Sequence, residues 1–226
     1  ALWQAYFVRD QLMQAHPELN VELLGMTTKG DQWLSASLSE VGGKGLFVKE
    51  LEVAMLEGRA DIAVHSVKDL PAQMPSGFVL PIIAFRADVE DVLVSPKGDL
   101  ARLPQGARVG SSSLRRKSQL LAIRPDLDIQ PVRGNVGTRL AKLDSGEFDA
   151  IVLAAAGLKR LGIERRDLYT LDIETCLPAP GQGALGIECR AGDSEVADLI
   201  APLNDDATTL CIKTERAFSR RLYGGC

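Results

Sequence analysis

Three short stretches hold the residues whose types and spacing could do chemistry. Asp61 to His65 (Asp-Ile-Ala-Val-His) reads as a strand and runs into Ser66-Val67-Lys68-Asp69-Leu70-Pro71. Pro71 biases Leu70 away from helix, so Lys68 and Asp69 fall in a loop at a strand's carboxyl end, where open α/β sheets bind ligands. A carboxylate there could exchange protons or stabilise a cation. On its own a Lys-Asp pair in a loop is more often a surface ion pair, and a histidine such as His65 more often a core residue. Gly110-Ser111-Ser112-Ser113-Leu114-Arg115-Arg116 joins a strand to a helix through small hydroxyl residues. Its free N–H groups and positive helix end favour an anion, and two first-turn arginines add bidentate donors. Val132-Arg133-Gly134-Asn135-Val136-Gly137-Thr138-Arg139 repeats that arrangement after the next strand. This turn carries neither a G-x-x-x-x-G-K-[ST] loop nor a G-x-G-x-x-G fingerprint, which disfavours a nucleotide there.

The elements that must position these residues follow from periodicity and punctuation. Leu2, Trp3, Tyr6, Phe7 and Leu12 open the chain at helical spacing, Asn20 to Met26 alternates like a strand, and Leu46 to Leu56 is helical again. With Asp61 to His65 this predicts a βαβ unit. A second unit begins near Asp88: strands at Asp91 to Ser95, Arg108 to Gly110, Asp128 to Val132 and Phe148 to Ala154, and helices at Leu114 to Ile123, capped by the serines, and Val136 to Leu143. A strand at Leu185 to Cys189 and helices at Ser194 to Leu203 and Asp206 to Leu222 complete the chain. Two such units predict a two-lobed α/β protein with a ligand cleft between the lobes.

Composition bounds the function class. The 226 residues suit two compact units or one large one, and 46% hydrophobic with 25% charged residues is ordinary for a globular protein. The longest largely apolar run, Ile151 to Leu158, is far short of a membrane span. A net charge of −4 argues against a general nucleic-acid binder. It hides a basic middle, in which Arg115, Arg116 and Lys117 are followed by Arg133, Arg139, Lys142, Lys159 and Arg160, and which suggests a discrete anionic ligand. Two histidines and no C-x-x-C spacing make a metal site unexpected. Cys176, Cys189 and Cys211 lie in apolar stretches and read as packing. Cys226 follows Gly224-Gly225, an exposed setting in which thiolate chemistry is possible, although a small buried thiol is the commoner fate of cysteine.

These three stretches, together with Val41-Gly42-Gly43-Lys44-Gly45-Leu46-Phe47-Val48-Lys49-Glu50-Leu51-Glu52 and Leu222-Tyr223-Gly224-Gly225-Cys226, resemble the porphobilinogen deaminase (hydroxymethylbilane synthase) family in order and across nearly the whole chain. The resemblance implies two periplasmic-binding-protein-like lobes and the start of a third α+β domain. Residues 1–86 with 182–202 form the first lobe, 87–181 the second, and 203–226 begin the third domain, which bears the cofactor. It further implies a first strand before Ala1 and most of the third domain after Cys226. The implied reaction removes ammonia from four porphobilinogen molecules and joins them head to tail on a dipyrromethane primer, releasing hydroxymethylbilane.

By the resemblance Cys226 holds that primer through a thioether, and Asp69 assists departure of ammonia and stabilises cationic pyrrole species. Arg115, Arg116, Arg133, Arg139 and Arg160 bind the acetate and propionate side chains. Ser66, Lys68, Ser111 and Ser113 line the cofactor, Gln182 lies near the interdomain cleft, and Lys44 and Phe47 belong to a lid whose glycines supply mobility. A cytoplasmic monomer with no membrane or nucleic-acid partner is expected. Two rival classes share parts of the pattern: a two-lobed solute-binding or effector-sensing receptor, and a phosphate-handling transferase using the Ser-Arg turns.

Overall fold

The computed structural model describes residues 2–27 and 48–222, which divide into two compact units. The first comprises the described residues up to Ala87 and those from Pro180 onward, and the second runs from Asp88 to Ala179. The first is thus built from two separated stretches of chain.

In the first unit α1 (Leu2–Ala15) buries Gln4, Val8 and Leu12, one residue per turn on one face. Val8 and Leu12 pack with Ile82, Leu185, Ile187 and Ile200. Helix α2 (Lys49–Leu56) precedes β1 (Ile62–Ser66), which buries Ala63 and His65 in strict alternation. The sheet order is β1-β8-β2, with β8 (Ala184–Arg190) antiparallel to both neighbours and buried along almost its whole length. The central strand therefore arrives only after the chain has left for the second unit and returned.

Two expectations change here. Asn20–Met26 lies in no strand, because alternation supplies a face but not a backbone partner, and no ladder among the described residues includes it. Strand β2 (Phe78–Arg86) was not foreseen. It contains Pro81, which removes a ladder donor and is tolerated because β2 is an edge strand with register shifts at Val79/Ile82 and Ile83/Phe85.

The second unit is a five-stranded sheet of order β5-β4-β6-β3-β7. Strands β4 (Arg108–Gly110), β5 (Asp128–Gln130) and β6 (Ala150–Ala154) are parallel, linked through α3 (Leu114–Ile123) and α4 (Val136–Asp144), as the βαβαβ pattern predicts. Strand β3 (Asp91–Val94) runs antiparallel between β6 and β7 (Leu168–Leu171). Strand β7 and the six-residue α5 (Ala155–Arg160) escaped the sequence pattern because they are short and only partly apolar. Two cores cover the sheet faces. Val109, Leu120 and Val152 pack in one, and Val132, Leu140, Ile151 and Leu153 in the other.

Helices α6 (Ser194–Ile200) and α7 (Asp206–Arg221) return to the first unit. At the head of the segment assigned by sequence to a third domain, α7 packs Ile212 against Val67, Ile83 and Ala184.

Candidate active site

Strand β1 delivers its last residue, Ser66, to Gln4, whose Nε2 donates to Ser66 Oγ at 2.9 Å. The chain then makes a 3-10 turn over Val67–Asp69, closed by Leu70 N donating to Val67 O at 3.1 Å. Val67 and Leu70 are buried on either side of a half-buried Lys68 and an exposed Asp69. Two apolar anchors therefore fix a turn that presents a carboxylate outward.

Space beneath that turn comes from two glycines. A Cβ on Gly181 would lie 2.7 Å from Val67 Cγ1 and 3.2 Å from Lys68 N, and one on Gly186 would lie 2.9 Å from Val67 Cγ2. Gly181 also holds φ at +76°, the left-handed region in which a side chain is strained. This close approach brings the neighbouring Gln182, almost fully buried, to the segment beside the Asp69 turn.

A network on α7 grips the same place. Glu215 Oε2 accepts from Gly181 N at 2.8 Å, Arg86 donates to both Glu215 carboxylate oxygens and to Gln182 O, and Arg216 Nη2 donates to Pro71 O at 2.9 Å. On β1 itself His65 Nε2 lies 2.7 Å from Glu188 Oε2, both side chains buried. Burial, followed by the charge of Glu188, raises the Glu52 carboxyl above its ordinary range, against a smaller lowering by His65.

The second unit gathers the serines and arginines at the carboxyl edge of its parallel strands. Ser113 caps α3, its Oγ accepting from Arg116 N, while Ser111 N donates to Gln130 O and Ser112 Oγ to Val132 O. Asn135 caps α4 by accepting from Thr138 N at 2.9 Å. Arg133 lies in the β5–α4 loop, Arg139 folds back to donate from Nε to Gly134 O at 2.8 Å, and Arg160 ends α5. The chain winds in opposite directions from β4 and from β6, which are neighbours. That makes this edge a topological switch point, where such sheets bind ligands.

Sequence reasoning missed the residue on which Arg115 and Arg116 converge. Asp91, fully buried at the head of β3, takes Arg115 Nη2 on Oδ2 and Arg116 Nη2 on Oδ1, each at 2.6 Å. Burial alone would raise the Asp91 carboxyl. Hydrogen bonding and charge from Arg116, joined by Arg115, outweigh it and hold the group below the usual carboxylate range. The arginines are thus held as two arms of a largely buried triad rather than as a solvated pair. Gln119 and Cys176 close its margin, and burial followed by the Asp91 charge pushes the Cys176 thiol up. Asp91 gave no signal because an acidic residue after Val89-Glu90 reads as a solvated strand end. Glu188, Glu215 and Arg216 were missed for the same reason: a charge inside an apolar run or on a helix face does not name its partner.

Lys44, Phe47 and Cys226 lie outside the described residues. Among the described residues no cluster of His, Cys, Asp and Glu could hold a metal ion, and no helix is long and apolar enough to cross a membrane.

The family described as "Porphobilinogen deaminase, dipyromethane cofactor binding domain" matches residues 1–198. The chain belongs to the porphobilinogen deaminase family. Porphobilinogen deaminases of Thiobacillus denitrificans and Syntrophotalea carbinolica are 57% and 56% identical to it over its whole length, which spans 74% and 72% of theirs. Porphobilinogen deaminases are transferases of the hydroxymethylbilane synthase type, and the matched domain is the one that binds the dipyrromethane cofactor. Solved structures share the fold at low identity. They include the probable amino-acid transporter extracellular-binding protein YtmK of Bacillus subtilis (TM-score 0.55, 12% identity, 96% of this chain and 86% of that one). Another is the periplasmic VFT2 domain of Bordetella pertussis BvgS (TM-score 0.51, 16% identity, 95% and 82%). The α/β periplasmic-binding-protein architecture expected from sequence is thereby confirmed.

Proposed function

We propose that this chain carries out the deaminase reaction itself, joining four porphobilinogen molecules head to tail on a dipyrromethane primer attached at Cys226 and releasing hydroxymethylbilane. The observation that carries this reading is the cationic carboxyl edge of the second unit. There Arg116 is buried with its Nε lacking a hydrogen-bond partner among the described residues, and the triad with Arg115 and Asp91 keeps a net charge of +1. Such an edge fits a ligand whose pyrroles each bear two carboxylates.

When bound, the dipyrromethane supplies the nucleophilic pyrrole carbon that the first substrate joins. Arg115, Arg116, Arg133, Arg139 and Arg160 orient carboxylates, with Ser111 and Ser113 beside them, and Ser66 and Lys68 act from the β1 edge with Gln182 behind their turn. Asp69, outward on a rigid turn, offers negative charge to the substrate's ammonium group. As ammonia departs it offsets the cationic charge left on the substrate, and it takes up the proton released when the carbon–carbon bond has formed.

Intact-protein mass tests the proposal. The full-length protein should carry an adduct the size of two linked pyrroles, absent from Cys226→Ser, and should extend it on addition of porphobilinogen. An unmodified protein that binds small anions reversibly would favour a solute receptor, the class to which the name of YtmK assigns that structure.

A further inference from the structure

We infer that Asp91 is a positioning residue that brings Arg115 and Arg116 onto one ligand, an inference that rests on the deaminase reading above. Adjacent residues on a helix point about 100° apart and do not naturally serve the same group. One buried carboxylate overcomes that divergence by taking one guanidinium on each oxygen, both at 2.6 Å. Each guanidinium is held at a second point as well: Arg116 Nη1 donates to Val152 O at 3.0 Å, and Arg115 Nη1 to Leu177 O. Rotation of either plane is thereby blocked.

The carboxylate also sits where it must to do this. Asp91 pairs with Ala154, the last residue of β6, so it stands at the same carboxyl edge as the Ser111–Ser113 turn and beside the β4/β6 switch point. A buried Asp between two Arg cancels one of two like charges. The pair is kept from repelling itself apart, and a net positive charge remains for an anion. Asp91 touches no reacting atom in this scheme and acts only through the arginines.

The test uses the full-length protein as wild type, Asp91→Asn, Asp91→Glu and Asp126→Asn. The last removes an arginine-paired aspartate remote from this edge and serves as the control. Folded Asp91→Asn is expected to carry the dipyrromethane adduct in under a tenth of its molecules. In its loaded fraction KM for porphobilinogen should rise at least tenfold while kcat stays within threefold. A purely structural aspartate would instead lower the melting temperature and leave adduct fraction and KM of the folded protein at wild-type values, and that result overturns the inference. Should Asp91→Asn fail to fold, Asp91→Glu decides: it keeps the charge but moves it by one methylene, so KM should rise at least threefold, and an unchanged KM overturns the inference. An adduct in wild type with indistinguishable Asp91 variants refutes this inference alone. No adduct in wild type refutes the deaminase reading and this inference with it.

Discussion

Replacing Gly181 by alanine should damage both stability and turnover, and its two costs can be separated. The first is backbone strain: a φ of +76° disfavours any Cβ by about 1–2 kcal/mol. The second is crowding. The new methyl would lie 2.7 Å from Val67 Cγ1, where ordinary contact begins at 3.4 Å, so Val67 must retreat by 3.4 − 2.7 = 0.7 Å. Overpacking of this kind costs about 1–3 kcal/mol. The sum, roughly 2–5 kcal/mol, should lower the melting temperature by roughly 5–15 °C in a protein of this size. Val67 opens the turn that ends in Asp69, so the displacement reaches the carboxylate, and misplacement approaching ~1 Å can cost ~100-fold in rate. Gly192→Ala is the matched control, with φ at +84° and nothing within 4 Å of its Cβ. It should show the strain alone and keep normal turnover. Thermal unfolding and steady-state product formation on both variants decide the matter. Equal turnover in Gly181→Ala and Gly192→Ala would refute the claim that Val67 transmits position to Asp69.

Other outcomes follow from the same geometry. Asp69→Asn should retain the adduct by mass yet lose turnover by ~100-fold or more, and near-normal turnover would remove its assigned role. Glu188→Ala leaves buried His65 without its acceptor and should cost about 3 kcal/mol in equilibrium denaturation, a loss below ~1 kcal/mol showing that the pair contributes little. Because the folded Asp91 carboxyl is held below its ordinary 3.8, the unfolded chain takes up that proton first as pH falls. The stability it contributes is therefore whole only above about pH 5 and is lost progressively as pH falls below that, and the slope of stability between pH 5 and 2 should be shallower in Asp91→Asn than in wild type. Glu52 has the opposite sign: its folded carboxyl is raised, so ionisation opposes folding, and Glu52→Gln should raise the melting temperature at pH 7.

Much of this protein was legible along the chain wherever the determinant is local. Helix α3 begins at Leu114 because Ser113 caps it, and β4, α4 and β8 fall where periodicity and capping residues put them. Pro71 put Lys68 and Asp69 in a connection at the strand's end without revealing its 3-10 form, and the anion-favouring serine and arginine turns follow from residue type and spacing. Asn20–Met26 shows the limit, since a strand's existence depends on a partner that its own residues do not specify.

What the sequence by itself determined is therefore which residues could serve: a carboxylate at Asp69 beyond a strand's carboxyl end, a capped helix start, a basic middle and the family to which these belong. Only the tertiary structure decided what holds them. Asp91 meets Arg115 and Arg116 from 24 and 25 positions away, and Glu188 meets His65 from 123. From α7, Arg216 reaches Pro71 just past the Asp69 turn, and Glu215 reaches Gly181, which packs against Val67 of that turn. The physical reason is range. Caps, turns and periodicity are settled within a few residues, whereas a buried charge is tolerable only beside a partner, and which partner arrives is fixed by strand order and packing.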